Sequence, residues 1–517
     1  MSLPKTIRGI TVALALLVVA GACQSGGTGG APQAGSTGKK VLTIVIGRAP
    51  DEPLGLLNRL GGSKPYTDLA ADVLMERDPA DGSLKPQLAE KWEMIAPNKW
   101  RFTLRKGVKF HDGEDFNAET AKWSIEKQTE ADSPARVVRY AKELKAEAVD
   151  PYTLDIICPT ACPILDIIAP QLQFVPPKWA QANPKEAAQK PVGTGPFKLE
   201  EWRTGEFMRF VAFKDYWGDT GYFDEVKFVW RSEPGVRASM VAAGEAQLSD
   251  DLDLESIDIV PKTFKPESID YAWIRLRERD ANGKLDPLWG DKRFRQALAY
   301  AIDCDAMAET LLKGAVKCSP FPFNSASVGF IKDGPRHEYN PEKARQLLDE
   351  VVGAGKEVNG VKMFSETGDI PRVWAETIMS YWEDIGVHAT FEFVDGPRRE
   401  KLHNPGVKGN PPDVFIQKSH TNDLFDATVS LAYIDGCNEP RSYSVCNEEF
   451  SQKLKDAGAA SGEERRGLLE ALERDYFYDG AYQIPLWSSP AIYGAAANLE
   501  WEGPVVGWLR PDRMKFS

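Results

Sequence analysis

Residues 100–122 read Trp100-Arg-Phe-Thr-Leu-Arg-Lys-Gly-Val-Lys-Phe-His-Asp-Gly-Glu-Asp-Phe-Asn-Ala-Glu-Thr-Ala-Lys122, and they pass from strand to turn to helix. Trp100, Phe102 and Leu104 alternate with Arg101, Thr103 and Arg105, so an extended segment carries one apolar and one charged face. Lys106-Gly107 and Asp112-Gly113 mark two reversals around the short apolar piece 108–110. Asn117 is placed to cap a helix through Ala121, Trp123 and Ile125, its side-chain oxygen accepting a backbone N–H of the first turn. A small α+β unit follows from these residues alone.

Leu104-Arg-Lys-Gly-Val-Lys-Phe-His-Asp-Gly113 also closely resembles the signature of the peptide/nickel class (family 5) of extracytoplasmic solute-binding proteins that feed ABC importers. Further landmarks of that family stand in order along the chain: Leu84-Lys-Pro-Gln-Leu-Ala-Glu-Lys-Trp92, Val192-Gly-Thr-Gly-Pro-Phe197, Phe213-Lys-Asp-Tyr-Trp-Gly218, the segment 291–303, and Tyr339-Asn-Pro-Glu-Lys-Ala344. The resemblance implies an α/β fold, a two-lobed periplasmic-binding-protein-like clamp (type II, large class) with an inserted α+β subdomain. Carried onto this chain, lobe I is 39–64, 191–272 and 486–517, the insert 65–190, and lobe II 273–485. Solute is expected between the lobes, which close by bending at the hinge.

At the start of the chain, Lys5 and Arg8 precede an apolar run over 10–20 that ends in Gly21, Ala22 and Cys23. A membrane span needs roughly 20 apolar residues, so the run reads as an export signal over 1–23. Ala20-Gly-Ala-Cys23 resembles a lipobox, with Cys23 as the lipidated residue; an ordinary cleaved signal is the alternative. Residues 24–38, rich in Gly, Ser, Thr and Gln, form a flexible tether. More than 470 residues remain, too many for one core and enough for two or three lobes. A net charge of −13 argues against nucleic acid as a partner. An exported, lipid-anchored monomer without a cofactor is the expectation.

Setting Cys23 aside, Cys158, Cys162, Cys304, Cys318, Cys437 and Cys446 each lie near one other cysteine. In an exported protein this reads as disulfides between sequence neighbours, the simplest of about fifteen connectivities. Zinc is the rival, ranked lower because Cys-x-x-Cys and His-Glu-x-x-His are missing. Gly193-Thr194-Gly195 lacks the Gly-Lys-Ser/Thr of a phosphate loop and reads as a tight turn.

Dipeptide-binding members of the family use a segment Gly-Trp-Thr-Gly-Asp-Asn-Gly-Asp-Pro, whose first aspartate pairs with the peptide ammonium. Ser419-His-Thr-Asn-Asp-Leu-Phe-Asp-Ala427 matches it in spacing, which puts Asp423 on that aspartate, His420 and Asn422 beside the ligand, and Asp426 on a structural aspartate. The family's carboxylate-binding arginine has no direct equivalent; Arg372 lies a few residues past Ser365-Glu366-Thr367, so a peptide longer than a dipeptide fits better. Read without the resemblance, Asp423 is a loop aspartate accepting backbone N–H bonds. Two functions follow: a receptor handing peptides to a permease, with nickel chelates, opines or oligosaccharides as other solutes, or an exported hydrolase. The hydrolase ranks lower, since no Gly-x-Ser-x-Gly elbow or metal-ligand pattern accompanies it. The reading is therefore a binding protein and not an enzyme.

Overall fold

Strand Val41–Ile46, a β-branched run with four buried residues, is the centre of the first of two large sheets. It pairs in parallel with Glu225–Trp230 on one side and Leu248–Ser249 on the other, and residues buried on both faces suit a parallel strand. Beyond Glu225–Trp230 lie Phe207–Ala212 and Phe197–Arg203; beyond Leu248–Ser249 lie Tyr493–Ala495 and Lys262–Phe264. The computed structural model describes residues 38–517 apart from 51–53, 59–63, 79–81, 132, 134, 140, 267, 269, 279–283, 324, 368–369, 404–412, 421–423, 429–430, 432–447, 490 and 502–508.

In the second sheet the order is Val387–Val394, Val358–Glu366, Val414–His420, Asp270–Leu276 and Gln483–Ser488. Helices Lys292–Tyr300, Pro341–Val352 and Arg372–Asp384 contribute buried residues to its core. Asn340 caps the second of these, accepting the Lys343 N–H at 2.9 Å with Pro341 at the first helical position. The chain crosses between the sheets twice, after Phe264 and after Ser488. Strands Asp270–Leu276 and Gln483–Ser488 run across positions 272/273 and 485/486, where lobe borders were expected, because each pairs along its length inside the second sheet.

The stretch quoted first builds a third sheet, ordered Ala89–Ala96, Lys99–Leu104, Thr153–Ile157 and Lys145–Asp150. Asn117 caps helix Ala118–Gln128 through a capping box, its Oδ1 accepting from Glu119 and Thr120 while Thr120 Oγ1 accepts the Asn117 N–H. Residues 150–157 form the turn and second arm of a hairpin, since Asp150 Oδ1 accepts the Tyr152 N–H at 2.8 Å and Pro151 supplies the bend. Helix Lys64–Ala70 is followed by strand Met75–Arg77. It stops because the Ala70 carbonyl is taken by the Gly195 N–H at 3.0 Å rather than by a further helical turn.

Candidate solute site and the contacts around it

Strand Val414–His420 pairs antiparallel with Asp270–Leu276, so its C-terminal end lies beside the first crossing. Thr421, Asn422, Asp423 and the side chain of His420 lie outside the described residues. From Leu424 to Thr428 the loop is firmly seated. Asp426 is fully buried; its Oδ1 accepts from Arg465 Nη2 at 2.6 Å and from the Thr428 N–H at 3.0 Å, and its Oδ2 from Arg465 Nε at 3.1 Å. Arg465 also donates to Thr428 Oγ1 and to the Ala457 carbonyl, both at 2.6 Å. A buried charge pair held this way anchors the loop, because removing either partner strands the other in a dry interior.

Where the two crossings run side by side, a cavity of about 1490 Å³ opens, lined by Lys265 and Pro266 from one crossing and Ser488, Ser489 and Ala491 from the other. Lobe-II residues close it, among them Tyr300, Lys332, Glu338 and Tyr478. Near this wall His337 lies between Tyr300 and Tyr478, with ring centroids 4.7 and 4.9 Å away. Burial lowers its imidazole to about 4, helped by the Lys343 charge, so the ring is neutral at neutral pH. Charges of both signs with aromatic faces suit a zwitterionic or amphipathic solute.

Glu366 accepts a hydrogen bond from Arg399 Nη1 at 2.5 Å, and the Arg372 guanidinium stacks over Phe391 and Phe393 at 5.3 and 5.1 Å from their ring centroids. Arg372 thus begins helix Arg372–Asp384 while leaning on the second sheet. Among the described residues no group of three or more His, Cys, Asp or Glu is arranged to hold a metal ion, and no helix is long and apolar enough to cross a membrane. Disulfides join Cys158 to Cys162 and Cys304 to Cys318, while Cys23, Cys437 and Cys446 lie outside the described residues.

The landmarks at 84–92, 104–113, 192–197 and 213–218 meet at one joint beside the first sheet. Asp72, buried, accepts from Gln87 Nε2 at 3.0 Å, Tyr216 OH at 3.0 Å and Trp217 Nε1 at 2.8 Å. Burial pushes its carboxyl up to about 7 against the pull of the Trp217 and Tyr216 donors. His111 Nε2 lies 2.9 Å from the Gly195 carbonyl and its ring meets Phe213 edge-on, while its backbone N–H donates to the Gly193 carbonyl. Burial lowers the imidazole to about 4, so His111 is a neutral strut. The turn 193–195 is held tightly: a Cβ on Gly195 would come within 2.5 Å of the Ala70 backbone. Asp72, Arg77 and Arg465 went unnoticed in the sequence, where nothing local sets them apart from surface charges.

Two sheets joined by two crossings, with a third sheet's unit bonded beside the first, define a clamp of the solute-binding type. Residues 83–442 match the family described as bacterial extracellular solute-binding proteins, family 5 middle, and the chain belongs to this family. The dipeptide-binding protein of Escherichia coli (strain K12) is 28% identical to it over 437 residues, covering 77% of this chain and 79% of that protein. The glutathione-binding protein GsiB of Salmonella choleraesuis (strain SC-B67) is 30% identical over 447 residues, covering 84% and 85%. The periplasmic binding protein DppA of Helicobacter pylori, solved in complex with the peptide STSA, shares the fold with a TM-score of 0.72 at 20% identity, covering 92% of this chain and 98% of that one.

Proposed function

We propose that the protein captures peptides in the cleft between its lobes and hands them to the permease of an ABC importer. Family membership with relatives named for dipeptide and glutathione binding carries this reading. The cavity beside the crossings, with both signs of charge, supports it. Lobe I comprises 39–64, 191–272 and 486–517, the insert 65–190, and lobe II 273–485. Asp423 takes the peptide ammonium, and His420 and Asn422 flank it. Because Glu366 and Arg399 pair where a dipeptide carboxylate would be bound, the free end of a longer peptide extends past this point.

Mass spectrometry of solutes released on unfolding the purified protein tests this directly. Peptides should be recovered, and adding one back should raise the melting temperature by mass action without changing the peptide's mass overnight. Cleaved products would instead indicate a hydrolase. Cys23 carries a lipid anchor in this reading, so Cys23→Ala should move the protein from membranes to the soluble fraction. A third disulfide is assigned to Cys437 and Cys446, to be read by non-reducing peptide mapping.

A further inference from the structure

We propose that Leu424 and Phe425, gripped by Arg77 of the insert, form a latch that holds lobe II closed against the insert before solute arrives. The inference rests on the clamp reading of the two lobes. Its first support is topological: the chain links the sheets only at the two crossings, yet Arg77 Nη2 donates to the Leu424 carbonyl, a partner 347 positions away. Leu424 is 1% exposed and clusters not with lobe II but with the insert's core, alongside Met75, Leu88 and Leu165. Arg77 is itself buried, donates to the Gly82 carbonyl at 3.0 Å and lies over the Phe425 ring, 4.9 Å from its centroid. Asp426 and Asp166 offset the desolvation of the guanidinium, which burial lowers to about 10, so it stays charged at neutral pH.

Backbone geometry gives the second support. Phe425 has φ of 57°. A bulky residue in the left-handed region persists only where its surroundings hold it. The holders here are Arg77 and the neighbourhood of Gly82, where an added Cβ would lie 3.5 Å from the Phe425 ring and 2.8 Å from the Ala326 Cβ.

The insert is fixed to the first sheet through Asp72 and His111, so it travels with lobe I. Opening the clamp as two rigid bodies therefore draws Leu424 out of an apolar pocket and Arg77 off its carbonyl. Both changes disfavour the open form and raise the closed population without solute.

Full-length protein stripped of solute on a column tests this, and needs no knowledge of the ligand. Solute-free Leu424→Asp should give small-angle X-ray scattering with a larger radius of gyration than the solute-free wild type, and amide hydrogen exchange over 424–428 at least tenfold faster. If Leu424→Asp does not fold, Leu424→Ala replaces it, since it empties most of the apolar pocket without burying a charge, and should likewise expand the solute-free protein. Equal radii of gyration with and without the latch overturn the proposal. A protein that shows this difference but fails to bind peptides would leave the latch standing and overturn only the assigned solute.

Discussion

Glu76 and Arg77 are neighbours on the short strand Met75–Arg77, and they face opposite halves of the molecule. Glu76 accepts from Arg510 and Arg513, both in the C-terminal part of lobe I, while Arg77 reaches Leu424 and Phe425 of lobe II. Alternation of side chains along a strand makes this possible with no special loop. The two sides differ in kind. Toward lobe I, a buried carboxylate satisfies three donors, a neutral histidine bonds a glycine carbonyl, and Arg105 stacks 4.2 Å from the centroid of Trp217. Toward lobe II, Arg77 meets the Leu424 carbonyl and the strained Phe425 ring, Leu424 plugs an apolar pocket, and Ala326 lies against Gly82. Interlocked buried polar groups resist separation because each would be orphaned, whereas an apolar plug with a single cation can leave and return. The insert is thus built to stay with one lobe and to release the other.

The harshest test of that contrast is Asp72→Leu, which takes the acceptor from one buried and two half-buried donors at once. It should cost about 3–5 kcal/mol in urea unfolding, given about 1–3 kcal/mol for each unsatisfied group and partial relaxation. A loss below about 1 kcal/mol would mean the joint is not what fixes the insert. Leu424→Ala should cost less, about 1–2 kcal/mol, although buried leucines ordinarily lose about 2–5 kcal/mol on truncation to alanine. The open form is already folded, so the loss is limited to the free energy of closure. Phe425→Gly should be smaller still, within about 1 kcal/mol of the wild type, because relief of the positive φ offsets the lost ring contact.

The gentlest probe is pH. The folded carboxyl of Asp72, pushed up to about 7, binds a proton that the unfolded chain releases near 4, so its contribution is full below about pH 4 and is lost as pH rises through 7. His111 acts oppositely: its folded pKa near 4 lies below the unfolded value, so its contribution is lost as pH falls from about 6.5 to 4. Relative to wild type, Asp72→Asn should therefore gain melting temperature between pH 5 and pH 8. An unchanged difference across that range would show that Asp72 is ionised at both values.

The joint was legible in the sequence because it is made of motifs: Lys-Phe-His-Asp-Gly, Gly-Thr-Gly-Pro-Phe and Lys-Asp-Tyr-Trp-Gly are pieces of one contact, separated along the chain and reunited in space. The helix cap at Asn117 was legible for a local reason, since a cap is decided within four residues. The latch was not. Nothing local marks Leu424, Phe425 or Arg77, because their meaning depends on a contact across 347 positions. The helix stop at Ala70 was hidden for the same reason, its carbonyl being claimed by distant Gly195.

Calorimetric titration of the wild type and Asp423→Asn, each with a peptide recovered from the protein and with its N-acetylated form, tests the peptide-binding account most directly. The account predicts that Asp423→Asn and acetylation each weaken binding by about 2–5 kcal/mol, and that together they cost little more than either alone. Equal tolerance of acetylation by both proteins, or undiminished binding by the variant, would contradict it.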